Sequence, residues 1–168
     1  LRRTVDCEFV DMSLEDAVDF IAEHLGYPVF IDEQSLDEIG LSVDETVNLS
    51  VKNFQLEHLL KQMLYQLGIT HMVIDGNVKI TTPERAESNL QTRVYPVGDL
   101  FASSSASHDA VMALLVSVVA PDSWEDVGGA GTIDSLSSSL VISQDYHVHQ
   151  QVEDLLDVLR ELRDDTSS

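Results

Sequence analysis

Thirty acidic side chains against nine basic ones make carboxylate chemistry the first possibility to weigh in this chain of 168 residues. Adjacent carboxylates occur at Asp32-Glu33, Asp37-Glu38, Asp44-Glu45 and Asp164-Asp165. General acid–base catalysis needs two carboxyls that converge on one substrate with separated pKa values, and sequence neighbours point in different directions. The pairs therefore read as a solvated acidic surface. Asp32, Glu33, Asp37, Glu38, Asp44 and Glu45 crowd one connector, and calcium takes six or more oxygens. The D-x-[DN]-x-[DN]-G loop is absent, however, and no calcium site is assigned.

The remaining reactive residue types are equally sparse. His147 and His149 are the one close histidine pair. On a strand they would share a face and could chelate a metal. They open a predicted helix instead, where a spacing of two turns them ~200° apart, so both are expected at the surface. His24, His58, His71 and His108 are scattered. Nucleophilic catalysis has no G-x-S-x-G motif, and Cys7 falls in a predicted strand, packed rather than activated. Gly128-Gly129-Ala130-Gly131 contains a G-x-x-G, the spacing that clamps a nucleic-acid backbone in KH domains. Here Glu125, Asp126 and Asp134 flank it with no Lys or Arg, so phosphate would be repelled and a backbone turn is expected. Trp124, the sole tryptophan, shares that loop and reads either as an interface anchor or as the seal of a core, the latter preferred. No catalytic residue, cofactor site or metal ligand is assigned.

Charge excludes further classes. The formal net charge of -21 opposes any grip on phosphates, which requires Lys and Arg, and disfavours anionic membrane surfaces. A composition of 43% hydrophobic residues with 8 Gly and 4 Pro is globular. The lone Cys7 forms no intramolecular disulfide and leaves the compartment open. No apolar stretch approaches the ~18 residues of a membrane span; the longest run, 111–120, is broken by Ser117. The start at Leu1-Arg2-Arg3 without a Met is expected of an excised fragment or processed product, with any targeting segment upstream.

The elements that hold these residues show internal similarity. Residues 5–12 read as a strand, followed by Leu14, Ala17, Val18, Ile21, Ala22 and Leu25, one face of a helix. Ser13 with Asp16 makes an N-cap, and Gly26 supplies the left-handed stop. Val29-Phe30-Ile31 is a strand, and residues 33–40 a short helical connector. The pattern then recurs 42 residues on. Val47, Leu49 and Val51 alternate as a half-buried strand, and Leu56, Leu59, Leu60, Met63, Leu64 and Leu67 repeat the helical stripe up to Gly68. Residues 71–75 and 78–81 form a hairpin across Gly76-Asn77. Each larger stripe residue is worth ~1.5–3 kcal/mol when fully buried, so both helices must lie on a sheet.

Residues 82–92 are polar and read as a linker, and residues 102–107 as a flexible loop. Between and beyond them come a strand at 92–97, a helix from His108 to Val119 capped by Ser107 and stopped by Pro121, and a glycine-rich loop. A short strand at Thr132-Ile133, a stronger one at 139–143, and a long helix striped with Val148, Val152, Leu155, Leu156, Leu159 and Leu162 complete the chain. The fold class is α+β: two small domains, each with two helices packed on a small mixed sheet. Their orders are β-α-β-β-α-β-β at 1–83 and β-α-β-β-α at 92–168, with 84–91 as the linker.

These residues resemble a known pair of modules. Ser13-Leu14-Glu15-Asp16-Ala17, the helix ends Leu25-Gly26 and Leu67-Gly68, residues 47–54 and the hairpin from Val73 to Ile80 are similar to the short N-terminal domain shared by bacterial secretins and TonB-dependent transducers. Ser139-Leu140-Val141-Ile142-Ser143 followed by His149-Gln150-Gln151-Val152-Glu153-Asp154-Leu155-Leu156 resembles the KH-like module that follows it in secretins. The resemblance implies a periplasmic or envelope protein of a secretion system that binds other protein subunits or copies of itself, with no catalysis, cofactor or nucleic acid. A signal-receiving domain of the transducer kind and a small hydrolase using surface carboxylates are the alternatives. Strand edges at 78–82 and 93–97 are the expected docking sites, with Val78, Ile80, Arg93, Tyr95 and Trp124 as candidate interface residues.

Overall fold

A computed structural model describes residues 3–101 and 107–166. Most of the loop read at 102–107 thus lies outside the described residues. The chain divides into two compact units, Leu1–Ala86 and Glu87–Ser168.

The first unit runs β1 (Thr4–Ser13), α1 (Leu14–Leu25), β2 (Val29–Ile31), α2 (Glu33–Glu38), β3 (Thr46–Gln55), α3 (Leu56–Gln66), β4 (Thr70–Ile74) and β5 (Asn77–Thr81). Helix α1 starts where Ser13 Oγ accepts from the Asp16 N–H at 3.1 Å, satisfying one of the free donors of the first turn. It stops at Gly26, whose φ of 70° is left-handed and costs glycine little. Leu14, Ala17, Val18, Ile21 and Leu25 of α1 and Leu56, Leu59, Leu60, Met63 and Leu64 of α3 are all buried in one core with Phe9, Val47, Val78 and Ile80. Both stripes are thereby covered.

The strands under these helices form two sheets rather than one. β1 pairs antiparallel with β3, setting Cys7 opposite Val51 and Phe9 opposite Leu49. β5 lies between β2, which runs parallel to it, and β4, its antiparallel hairpin partner. The β1–β3 ribbon is interrupted twice, at the irregularities beside Asp11 (φ 47°) and Asn53 (φ 50°). Each bulge withdraws an N–H from the ladder. A side chain on the opposite strand recovers it: Asn48 Oδ1 accepts from Asp11 N at 2.8 Å, and Asp6 Oδ1 accepts from Asn53 N at 2.6 Å.

The stretch expected to be a linker is partly helical. Helix α4 (Pro83–Ser88) opens on Pro83, where a missing N–H costs nothing, and buries Ala86. Arg85 reaches Glu38 at 3.1 Å. The second unit continues with β6 (Gln91–Pro96), α5 (His108–Val118), β7 (Thr132–Leu136), β8 (Ser139–Gln144) and α6 (Tyr146–Thr166). Its sheet has the order β6-β8-β7 and is antiparallel throughout, not mixed. Val97, Leu115, Trp124, Leu140, Ile142, Val152 and Leu156 form the centre of its core. No described helix is long and apolar enough to cross a membrane.

Candidate functional site

The residues singled out in the sequence fall in different places. Val78 and Ile80 were expected on an open edge, but β5 is the central strand of its sheet and both side chains are buried. The reason is β2, which pairs parallel with β5 and fills the edge that an isolated β4–β5 hairpin would leave. Trp124 is 2% exposed, and its indole N–H donates to the Val119 carbonyl at 2.8 Å. It seals the core of the second unit and presents no surface for a partner.

Arg93 and Tyr95 lie on β6, an outer strand, yet both side chains turn toward α6. Arg93 pairs with Glu153 at 3.2 Å. Tyr95 is buried, and its hydroxyl lies 2.7 Å from His149 Nδ1. His149, expected at the surface, is 0% exposed, and its Nε2 lies 2.6 Å from the Gln91 carbonyl. A carbonyl can only accept, so Nε2 carries the proton, Nδ1 is bare and the Tyr95 hydroxyl donates to it. Burial holds the imidazole below its usual pKa and, with the Glu153 charge beside it, pushes the Tyr95 hydroxyl up to about 12. The signal for His149 was present in the sequence: it stands three residues before Val152 and seven before Leu156, on the buried stripe of α6.

The alternate residues of β6 face the other way. Val94 is 61% exposed, and the register sets it beside Val141, whose other neighbour is Asp134. Sequence reasoning picked Arg93 and Tyr95 and missed Val94, although a period of two assigns it to the opposite face. In the first unit, Tyr27 and Phe30 are likewise exposed.

The glycine-rich loop closes on protein rather than on a ligand. Gly131 N donates to the Ser123 carbonyl at 2.9 Å, and Glu125 N donates to the Gly131 carbonyl at 2.8 Å. A Cβ on Gly131 would stand 1.8 Å from Gln144 Nε2, and one on Gly129 would stand 2.1 Å from the Ser123 carbonyl carbon. Gln144, itself buried, donates to Ser123 Oγ at 2.9 Å. Gly131→Ala must displace that side chain and break its hydrogen bond. An expected loss of about 1–3 kcal/mol should appear as a lowered midpoint in urea unfolding.

A groove of about 440 Å³ lies beside this loop, bordered by Leu90, Ser123, Gln144, Asp145, His147 and Gln151. Three of its polar groups serve the fold: Gln144 holds Ser123, and Asp145 Oδ1 caps α6 by accepting from Val148 N at 3.0 Å. Among the described residues, no three His, Cys, Asp or Glu side chains gather closely enough to hold a metal ion.

Most of the described cations are paired within their own units. Lys61 pairs with Glu57 at 3.0 Å, Lys79 with Asp32 at 3.4 Å, and Arg160 and Arg163 both with Asp99, at 3.0 and 2.8 Å. The Arg160 hydrogen bond, with Arg163 beside it, holds the Asp99 carboxyl below the usual range. Partial burial pushes Asp32 up, but the Thr81 hydroxyl and the Lys79 ammonium outweigh it and leave that carboxyl low as well. What remains on the surface is an excess of unneutralised carboxylates.

No family model matches the chain, and no characterised protein matches it in sequence. Solved structures do. The N-terminal domain of the secretin XcpQ from Pseudomonas aeruginosa is 17% identical, with a TM-score of 0.38, over 95% of this chain and 65% of that one. The GspC-GspD complex of the enterotoxigenic Escherichia coli type II secretion system is 16% identical, with a TM-score of 0.33, over 95% of this chain and 98% of that one. The InvGN0N1:SpaPQR:PrgHK assembly of the Salmonella injectisome is 13% identical, with a TM-score of 0.39, over 95% and 96%. This chain spans 64% of the length of another XcpQ structure.

Proposed function

We propose that this chain is a non-catalytic protein-interaction and assembly module of a secretin-like protein in the bacterial envelope, exposed to the periplasm. One observation carries the reading. The groups suited to chemistry are committed inside their own units, as in the Tyr95–His149–Gln91 chain, the Asp99 clasp and the Gln144–Ser123 bond, while the surface keeps uncompensated negative charge and exposed Val94, Phe30 and Tyr27. Such a surface fits protein partners with basic faces, or further subunits meeting at strand edges.

The test is capture from a bacterial envelope extract on the immobilised chain, with light scattering of the free chain in parallel. A discrete partner or a defined oligomer is expected. A charge-steered complex should weaken severalfold as salt rises from about 50 to about 300 mM, because exposed charges are screened beyond a Debye length. A strict monomer that retains nothing even at low salt would overturn the reading. So would hydrolytic turnover abolished by replacing a single carboxylate.

A further inference from the structure

We propose that the outward face of α6 is a docking site for a basic amphipathic helix of a partner protein. The proposal rests on the interaction-module reading and names its surface and the chemistry of its partner. Helix α6 has two faces. Val148, His149, Val152 and Leu156 are buried on one. Arg160 and Arg163 also leave the outward face, drawn to Asp99 and, for Arg160, to the Pro96 carbonyl at 2.8 Å.

On the other face Gln151, Asp154, Val158, Glu161 and Asp165 follow one another at steps of three and four, so they form a single exposed stripe. Leu162 stands one turn beyond Val158. These two aliphatic side chains are 48% and 57% exposed, and Asp154, Glu161 and Asp165 line one flank of the ridge they make. An i, i+4 aliphatic pair makes the ridge that fits the groove of a crossing helix.

The position of the charges argues for a cationic occupant independently of their number. The last turns of a helix collect the negative end of the backbone dipole, and Lys or Arg there is stabilising by about 0.3–1 kcal/mol. α6 carries Glu161, Asp164 and Asp165 in that place, and its one basic residue in the last turn, Arg163, is held by Asp99 and Asp164. Arg163 compensates Asp164, while the exposed Glu161 and Asp165 stand as like charge against the negative end of the dipole. A Lys- or Arg-bearing helix laid along the stripe relieves that repulsion while covering Val158 and Leu162. An anionic lipid surface would increase it.

The probe is a synthetic amidated helical peptide with Lys at i, i+3 and i+7 around a Leu pair, titrated into the whole chain and followed by amide chemical shifts and fluorescence anisotropy. Shift changes concentrated on 151–165 are expected. Val158→Ser/Leu162→Ser and Asp154→Asn/Glu161→Gln/Asp165→Asn should each weaken binding by about tenfold, roughly 1.4 kcal/mol. Their melting temperatures should not fall, because the replaced side chains are exposed. Asp37→Asn/Asp44→Asn/Glu45→Gln removes the same charge from the first unit and should leave binding unchanged. Equal weakening by that control, or shifts spread over both units, would reduce the effect to net charge and overturn the proposal. If the α6 variants keep full capture of an envelope partner, the docking face is wrong and the module reading stands. If the unmodified chain captures nothing, the module reading itself has failed.

Discussion

Trp124→Ala should cost the second unit about 3–5 kcal/mol, the range for emptying an aromatic core position. A small domain holds about 5–15 kcal/mol in total, so the variant should be largely unfolded in its second half under mild denaturant. Two terms add. The ring is 2% exposed and packs in a cluster with Leu115, Val119, Ile142 and Val152, so its removal opens a cavity that fixed strands cannot collapse around. The indole N–H is also the donor to the Val119 carbonyl at the end of α5, and a buried carbonyl without a donor costs about 1–3 kcal/mol. Trp124→Phe separates the terms, because it keeps most of the ring and loses the hydrogen bond. The measurement is urea unfolding followed by far-UV circular dichroism, since the substitution removes the only tryptophan reporter. Unchanged stability with lost partner capture would return Trp124 to the role of interface anchor.

The loop that carries Trp124 illustrates what a single sequence discloses. The stripes of α1, α3 and α6 were readable because a helix buries its face locally, so the period appears in consecutive residues whatever lies across from it. Sheet membership was not readable in this way. Val78, Lys79, Ile80 and Thr81 alternate as an edge strand would, yet β5 has neighbours on both sides, and Lys79 is tethered to Asp32. Alternation names the buried face of a strand and says nothing of which strand pairs with it. The bulges at Asp11 and Asn53 depend on side chains of the opposite strand, more than thirty residues away. The second candidate surface was legible only in part. Arg93 and Tyr95 attracted notice by type; the period of two puts Val94 on the other face, and its exposure shows that this face is turned out. The helix end at Asp164 and Asp165, by contrast, was legible as a charge pair, and only the structure shows that Arg163 is shared between Asp164 and Asp99.

His149→Ala should destabilise the second unit by about 2–4 kcal/mol, because it removes the hydrogen bonds to the Gln91 carbonyl and the buried Tyr95 hydroxyl and leaves a void beside β6. The more diagnostic expectation concerns pH. Burial lowers the folded pKa of His149 from the ordinary 6.5. Below pH 6.5 the unfolded chain therefore takes up a proton that the folded chain refuses, and stability must fall as the pH drops through that value toward the folded pKa. The carboxylates held low by their cations, Asp99 and Asp32, lose their contribution only further down, below their unfolded value of 3.8. On the alkaline side, Tyr95, raised from 10.0 to about 12, loses a proton first in the unfolded chain, so stability declines again above pH 10. His149→Gln can still donate to the Gln91 carbonyl but does not titrate, and it should flatten the slope below pH 6.5 while leaving the alkaline limb in place. Urea midpoints for both chains between about pH 5 and pH 7.5 decide the matter. An unchanged acid slope in His149→Gln would mean that the buried imidazole does not govern it.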